Sequence, residues 1–158
     1  MVIFLRYLKI YKITQEFEQW LSLKTSKKIP SRKQIVKWFI DQQIPIQILG
    51  RGAYKSCFLI QSQKKFLVLK VGQAIYIERD VKVINTARTT PLRPNIARYY
   101  WQTPHCALQK YIAGTAHNEE VILKLKIKAK QYGFTDIRKA NIGTTIKGQH
   151  KIFDCSLR

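Results

Sequence analysis

Ile46-Gln-Ile-Leu49, Gly50-Arg-Gly52, Ser56-Cys-Phe-Leu-Ile60 and Phe66-Leu-Val-Leu69-Lys70 are the stretches on which the fold turns. The first alternates apolar and polar residues. The last two are short apolar runs, and the breaks between them are a glycine pair and the polar Gln63-Lys-Lys65. Short apolar or alternating segments bounded by glycine and polar residues predict strands, and such short connections predict antiparallel neighbours. A three-stranded meander therefore begins at Ile46.

Downstream, Ala74 to Arg88 carries Ile77, Val81 and Ile84 at helical spacing, and Pro91 and Pro94 close the segment. Ile96-Ala-Arg-Tyr-Tyr-Trp101 and Cys106-Ala-Leu-Gln-Lys-Tyr111 read as a hairpin across Thr103-Pro104. Three strands, a helix and two strands give an α+β chain with an antiparallel five-stranded sheet plus one helix. After Gly114, Asn118-Glu-Glu120 has the character of a helix start, with acids where the N-terminal dipole favours them. Leu123-Lys-Leu-Lys-Ile-Lys-Ala-Lys130 alternates, which by itself is a strand signal. Its residues are strong helix formers and Gly133 suits a C′ position, so a helix is expected. Ile142-Gly-Thr-Thr-Ile146, a turn at Lys147-Gly148 and Lys151-Ile-Phe153 predict a closing hairpin.

Upstream, residues 1–45 read as a basic helical extension, and 46–158 as the main domain. Phe17, Trp20 and Leu21 share a helical face, as do Ile35, Trp38 and Phe39 behind an N-cap at Ser31; Pro30 and Pro45 bracket the second helix. Val2 to Lys12 fits a strand or a helix. This extension is either an added layer or a partner-binding helical hairpin.

The chain carries 29 Lys and Arg against nine Asp and Glu, a net charge of +20. That charge attracts polyanions, nucleic acid among them, or else reflects a Lys-rich composition with a solvated surface. The cations are spread along the chain rather than blocked into a tail. Cys57, Cys106 and Cys155 are odd in number and far apart, which predicts free thiols in a cytoplasmic or other reducing compartment. No apolar run approaches the ~20 residues of a membrane-spanning helix, so no membrane partner is expected. Met1-Val-Ile-Phe-Leu-Arg6 lacks the h-region of a secretory signal.

In a chain this poor in acids, the retained ones carry information. From Ile46 onward they are Glu78, Asp80, Glu119, Glu120, Asp136 and Asp154. Gly50 and Gly52 would let backbone N–H groups approach phosphate oxygens, or would simply make a tight turn. Lys70 ends an apolar strand and needs a counter-charge, unless it snorkels to solvent. Glu78 is the first acid after it, with Asp80 on a different helix face as a competing partner. Asp136 can accept or position a hydroxyl proton. Asn141, five residues on, and Asp154, after an apolar strand, are oxygen donors of the kind Mg²⁺ takes.

This order of features, over about Ile46 to the end, resembles the protein-kinase-like superfamily. Leu49-Gly-Arg-Gly-Ala-Tyr54 is similar to its Gly-rich loop, Val68-Leu-Lys70 to its strand lysine and Glu78 to its helix glutamate. Leu108-Gln-Lys-Tyr-Ile-Ala-Gly114 is similar to its hinge, Tyr132-Gly-Phe-Thr-Asp136-Ile-Arg-Lys-Ala-Asn141 to its catalytic loop and Ile152-Phe-Asp154 to its metal-binding strand end. The resemblance implies a kinase N-lobe at 46–112 and a much reduced C-lobe at 113–158, with the N-terminal helical segment added. It implies ATP and Mg²⁺ as cofactors. Gly50, Gly52, Lys70, Glu78 and the backbone of Lys110 and Ile112 would bind nucleotide, Asn141 and Asp154 would hold metal, and Asp136 with Lys70 would act in catalysis. Departures are Lys55 for the third glycine, Phe134-Thr135 before Asp136, Cys155-Ser156 after Asp154 and a short interval from Lys70 to Glu78. The chain ends four residues after Asp154, at Arg158, with no activation segment read in it. The expected activity is ATP-dependent phosphotransfer of serine/threonine-kinase type, on a protein or other hydroxyl substrate, with a protein partner completing the missing lobe as a further expectation. The alternatives are an inactive pseudokinase-type interaction module and a basic nucleic-acid-binding protein.

Overall fold

The computed structural model describes residues 2–24, 28–52, 54–62 and 65–157, with backbone only at 2–10, 51 and 62. They fall into two compact units, one of Met1–Ile77 with Trp101–Leu108, the other of Glu78–Tyr100 with Gln109–Arg158.

The first unit opens with two helices, α1 (Val2–Lys24) and α2 (Arg32–Asp41). Of the two readings of residues 2–12, the helix is the one adopted. α2 starts on a reciprocal cap: Gln34 N–H donates to Ser31 Oγ at 3.3 Å, and Ser31 N–H donates to Gln34 Oε1 at 2.8 Å. Phe17 and Leu21 of α1 and Ile35 and Phe39 of α2 are fully buried. The Phe17 ring lies 4.8 Å from Phe39 and 5.0 Å from Trp38, within the range where tilted aromatic pairs attract beyond their burial. Burying each such side chain contributes roughly 1.5–3 kcal/mol, which is what holds two short-range amphipathic helices together.

A polar tie also binds α1. Glu18 is buried, and a buried carboxylate is tolerated only when its oxygens are satisfied. Its Oε1 meets His105 Nδ1 at 2.6 Å, and its Oε2 accepts from Thr103 Oγ1 at 2.7 Å and from the His105 N–H at 3.1 Å. Trp101 Nε1 donates to Thr14 Oγ1 at 2.9 Å.

The sheet has five antiparallel strands, β1 (Ile46–Arg51), β2 (Lys55–Ser62), β3 (Lys65–Gly72), β4 (Tyr99–Gln102) and β5 (Cys106–Lys110), in the order β1-β2-β3-β5-β4. The α+β class with one helix between β3 and β4 is the one expected. The β2–β3 register runs unbroken from Lys55↔Gly72 to Ser62↔Lys65, and β1 is irregular between Ile48 and Gly50. Alternation puts Phe58, Ile60, Leu67, Leu69 and Val71 in the interior. Ala53 and the turn residues Gln63 and Lys64 lie outside the described residues.

α3 (Ala74–Arg88) starts in the first unit and continues into the second. In the second unit follow β6 (Gly114–Thr115), α4 (Glu119–Gln131), β7 (Phe134–Thr135), β8 (Ile142–Thr144), β9 (His150–Ile152) and β10 (Ser156–Leu157). The helix reading of the alternating lysine stretch holds. Ile122, Leu125 and Ala129 are buried at helical spacing, whereas Leu123 and Ile127 are exposed, so the period of two was a by-product of lysines falling between them. Asn118 Oδ1 accepts from the Val121 N–H at 3.1 Å, and Gly133 ends the helix at φ +82°. β8 pairs with both β6 and β9, forming the expected hairpin, and β7 pairs with β10. Gly143 is required by packing: a Cβ there would sit 2.6 Å from Ile112 Cγ2 and 3.0 Å from the Gly114 carbonyl oxygen. Ile84, Leu92, Ile96, Phe134, Ile142 and Ile152 centre the core of this unit. Among the described residues, no helix is long and apolar enough to cross a membrane.

Candidate functional site

The expected site residues divide between the units. Gly50, Gly52 and Lys70 belong to the first; Glu78, Lys110, Ile112, Asp136, Asn141 and Asp154 belong to the second.

In the first unit, Gly52 N–H donates to the Lys55 carbonyl at 2.9 Å, which makes the β1–β2 connection a tight turn. No neighbouring atom would obstruct a side chain at Gly50, so that glycine is not needed for packing. Lys70 lies within β3, opposite Cys57 of β2, and is 3% exposed. A cationic head so removed from water requires a specific polar environment.

The second unit gathers the C-terminal acids around Asn141. The chain turns at Asp136, which adopts φ +60°, a conformation in which Asp and Asn are the commonest non-glycine residues. Asn141 Nδ2 donates to the Asp136 carbonyl at 2.9 Å, and the Phe153 N–H donates to the Asn141 carbonyl at 3.0 Å. Gln109, fully buried, donates from Nε2 to the Phe153 carbonyl at 3.0 Å and to Ala97 at 3.3 Å. Both peptide groups of Phe153 are thereby held, and Asp154 follows directly. Asp136, Asn141 and the root of Asp154 thus form one hydrogen-bonded assembly.

Asp136 pairs with Arg138, both exposed, and a pair this open to solvent contributes little stability and leaves the carboxylate accessible. The Asn141 amide nitrogen is engaged by the Asp136 carbonyl, which leaves Oδ1 as its hard oxygen donor. One amide oxygen and one carboxylate suit Mg²⁺, which binds through few protein ligands while keeping water and phosphate oxygens. Among the described residues no three His, Cys, Asp or Glu gather as an all-protein metal cage.

Lys110 N–H donates to the Arg98 carbonyl at 3.0 Å. Ile112 is buried against Gly143. Glu78 is exposed on α3, whereas Asp80 is buried and accepts a hydrogen bond from Tyr99 Oη.

Two features escaped the sequence reading. A cavity of about 540 Å³ opens beside Gly52, lined by Lys28, Arg32, Lys55 and the Tyr54–Tyr76 pair, whose rings stack at 4.2 Å. One wall of it is residues 28–32, where the sequence reading took only Pro30 and the cap at Ser31. The Glu18 network is the other; the only signal for it was an acid retained in an acid-poor chain.

No family model and no curated protein matches the chain. Among solved structures, it is similar to APH(2")-IIa in a ternary complex with streptomycin and ATP, at 23% identity and a TM-score of 0.41, over 65% of this chain and 36% of that one. It is also similar to Rad53 1–466 in complex with AMP-PNP, at 17% identity and a TM-score of 0.47, over 77% of this chain and 41% of that one. The chain therefore spans about two fifths of the length of the structures it matches.

Proposed function

We propose that the chain is a kinase-like phosphotransferase that binds Mg-ATP and directs its γ-phosphate to a hydroxyl acceptor. The observation that carries this reading is the hydrogen-bonded assembly of Asp136, Asn141 and the strand end at Asp154. An acid and an amide five residues apart, tied through their own backbone to a second acid, is an economical way to fix three oxygen-bearing groups.

In this reading the backbone N–H groups at Gly50 and Gly52 cradle phosphate oxygens, and Lys70 neutralises charge on them. By the motif order Glu78 would be the acid that goes with that lysine, with Asp80 as the alternative. The Lys110 carbonyl and the Ile112 backbone meet adenine. Asn141 Oδ1 and the Asp154 carboxylate hold Mg²⁺, which supplies charge neutralisation at the phosphates. Asp136 accepts a hydrogen bond from the attacking hydroxyl, sets its direction and takes its proton as the bond to the γ-phosphorus forms and the bond from that phosphorus to the β–γ bridging oxygen breaks, with ADP leaving. Positioning and electrostatics provide most of the rate in such a transfer.

The Asp136–Arg138 pair favours a second reading, a nucleotide-binding interaction module in which Arg138 keeps the acid from acting as a base. Release of γ-phosphate from Mg-ATP, measured with and without added protein acceptor, separates the two. Transfer that disappears in Asp136→Ala supports the first reading; nucleotide binding with no transfer under any acceptor condition supports the second.

A further inference from the structure

Five cations of the second unit converge although their sequence positions are scattered. Arg88 ends α3, and its Nη1 donates to the Ile96 carbonyl at 3.4 Å. Lys151 of β9 donates from Nζ to the Pro94 carbonyl, and Ala97 N–H bonds the Ile152 carbonyl at 2.8 Å, so β9 lies along residues 94–97. Arg93 and Arg98 flank that segment. Lys110, at the end of β5, is bonded through its N–H to the Arg98 carbonyl.

The proximity has an electrostatic consequence. Burial, then Arg93 and Arg98, lower the pKa of Arg88; burial, then Lys110 and Arg88, lower that of Lys151. The fold therefore carries these like charges on adjoining segments. Among the described residues, none of the five has a carboxylate partner.

We infer that Arg88, Arg93, Arg98, Lys110 and Lys151 form a docking surface for the phosphodiester backbone of a nucleic acid. A linear polyanion fits better than a single phosphate. Arg93, Arg98 and Lys110 are exposed rather than enclosed in a buried pocket, and the cations come from four stretches of the chain: the end of α3, residues 93–98, the end of β5, and β9. Arg98 is held over the Tyr100 ring at 4.7 Å, which aims its guanidinium while leaving its N–H groups for phosphate oxygens. The net charge of +20 supplies long-range attraction to the same partner. This surface shares Lys110 with the nucleotide reading, through the side chain here and the backbone there, and its test by Arg93 and Arg98 touches no residue assigned to nucleotide or metal.

The test is fluorescence anisotropy of the full chain with a labelled oligonucleotide, single-stranded and duplex, over a range of salt. Arg93→Ala/Arg98→Ala is compared with Lys126→Ala/Lys130→Ala, which removes the same charge from exposed positions of α4. Wild-type binding should weaken linearly in log–log form with salt. The Arg93/Arg98 variant should lose about tenfold or more in affinity and about 1.5 in salt slope, from roughly 0.7–0.9 per phosphate contact. The α4 variant should lose less than about threefold. Arg93→Lys/Arg98→Lys, which keeps the charges, should retain the slope, and so guards against a folding defect in the alanine variant. Equal losses in the two alanine variants, or no salt-dependent binding by the wild type, would overturn the assignment. So would preferential binding to phosphatidylserine/phosphatidylcholine vesicles over either oligonucleotide.

Discussion

The side-chain amide of Asn141 donates to the backbone carbonyl of Asp136 at 2.9 Å. One side chain therefore shapes the loop that presents an acid while its own amide oxygen remains a donor atom for metal. Asn141→Ala should lose about 1 kcal/mol of stability from the missing hydrogen bond. It should also reduce the Mg²⁺ dependence of nucleotide binding. Urea unfolding and titration of ATP with and without Mg²⁺ measure the two effects. Loss of stability alone would assign Asn141 a purely structural part.

Asp136 is exposed and not needed for packing. Asp136→Asn, which tolerates the positive φ of this position, should leave the unfolding midpoint nearly unchanged and leave ATP binding within about twofold. γ-Phosphate transfer should fall by roughly 10²–10⁴, the range of a lost general base. Single-turnover transfer assays check this; unchanged turnover would remove Asp136 from the chemistry.

Gly143→Ala should destabilise the second unit by roughly 1–3 kcal/mol, because the new methyl group meets Ile112 Cγ2 and the backbone oxygen of Gly114. Ala at Gly50, where space is open, should cost much less. Denaturant melts of the two variants give the comparison directly. If Ile112 helps to seat adenine, Gly143→Ala should also weaken ATP binding.

Cys106 gives the protein a defined alkaline limit. Burial pushes its thiol up from 9.0 to about 12; the hydrogen bond shared with Thr103 opposes the shift and nearby Glu18 adds to it. A group with a raised folded pKa contributes its stability in full below the unfolded value and loses it as pH rises toward the folded value. Stability should therefore fall between about pH 9 and pH 12, by on the order of a few kcal/mol. Cys106→Ala should flatten that part of the profile. The difference between the two pH–stability curves is the readout, since other groups titrate equally in both.

Most of the fold could be read because strand and helix signals depend on local pattern. The β1–β3 meander was fixed by glycine and polar punctuation, and α4 by residue type once its two-residue alternation was outweighed. The 2–12 segment stayed open because its apolar residues suit either period, and only packing decides. The order of Asp136, Asn141 and Asp154 was legible; the way Gln109 secures the strand end before Asp154 was not, since a buried glutamine has no sequence signature distinct from an exposed one. The same holds for the basic cluster. Arg88, Arg93, Arg98, Lys110 and Lys151 are ordinary cations in a cation-rich chain until the β9 pairing and the 93–98 segment bring them together.

The central claim is tested most directly by isothermal titration of the chain with ATP, in Mg²⁺ and in EDTA, alongside Asp154→Asn. The account predicts saturable one-to-one binding in Mg²⁺ that weakens by about tenfold or more in EDTA, with the variant insensitive to the metal. No binding, or binding of equal strength in Mg²⁺, in EDTA and in Asp154→Asn, would contradict it.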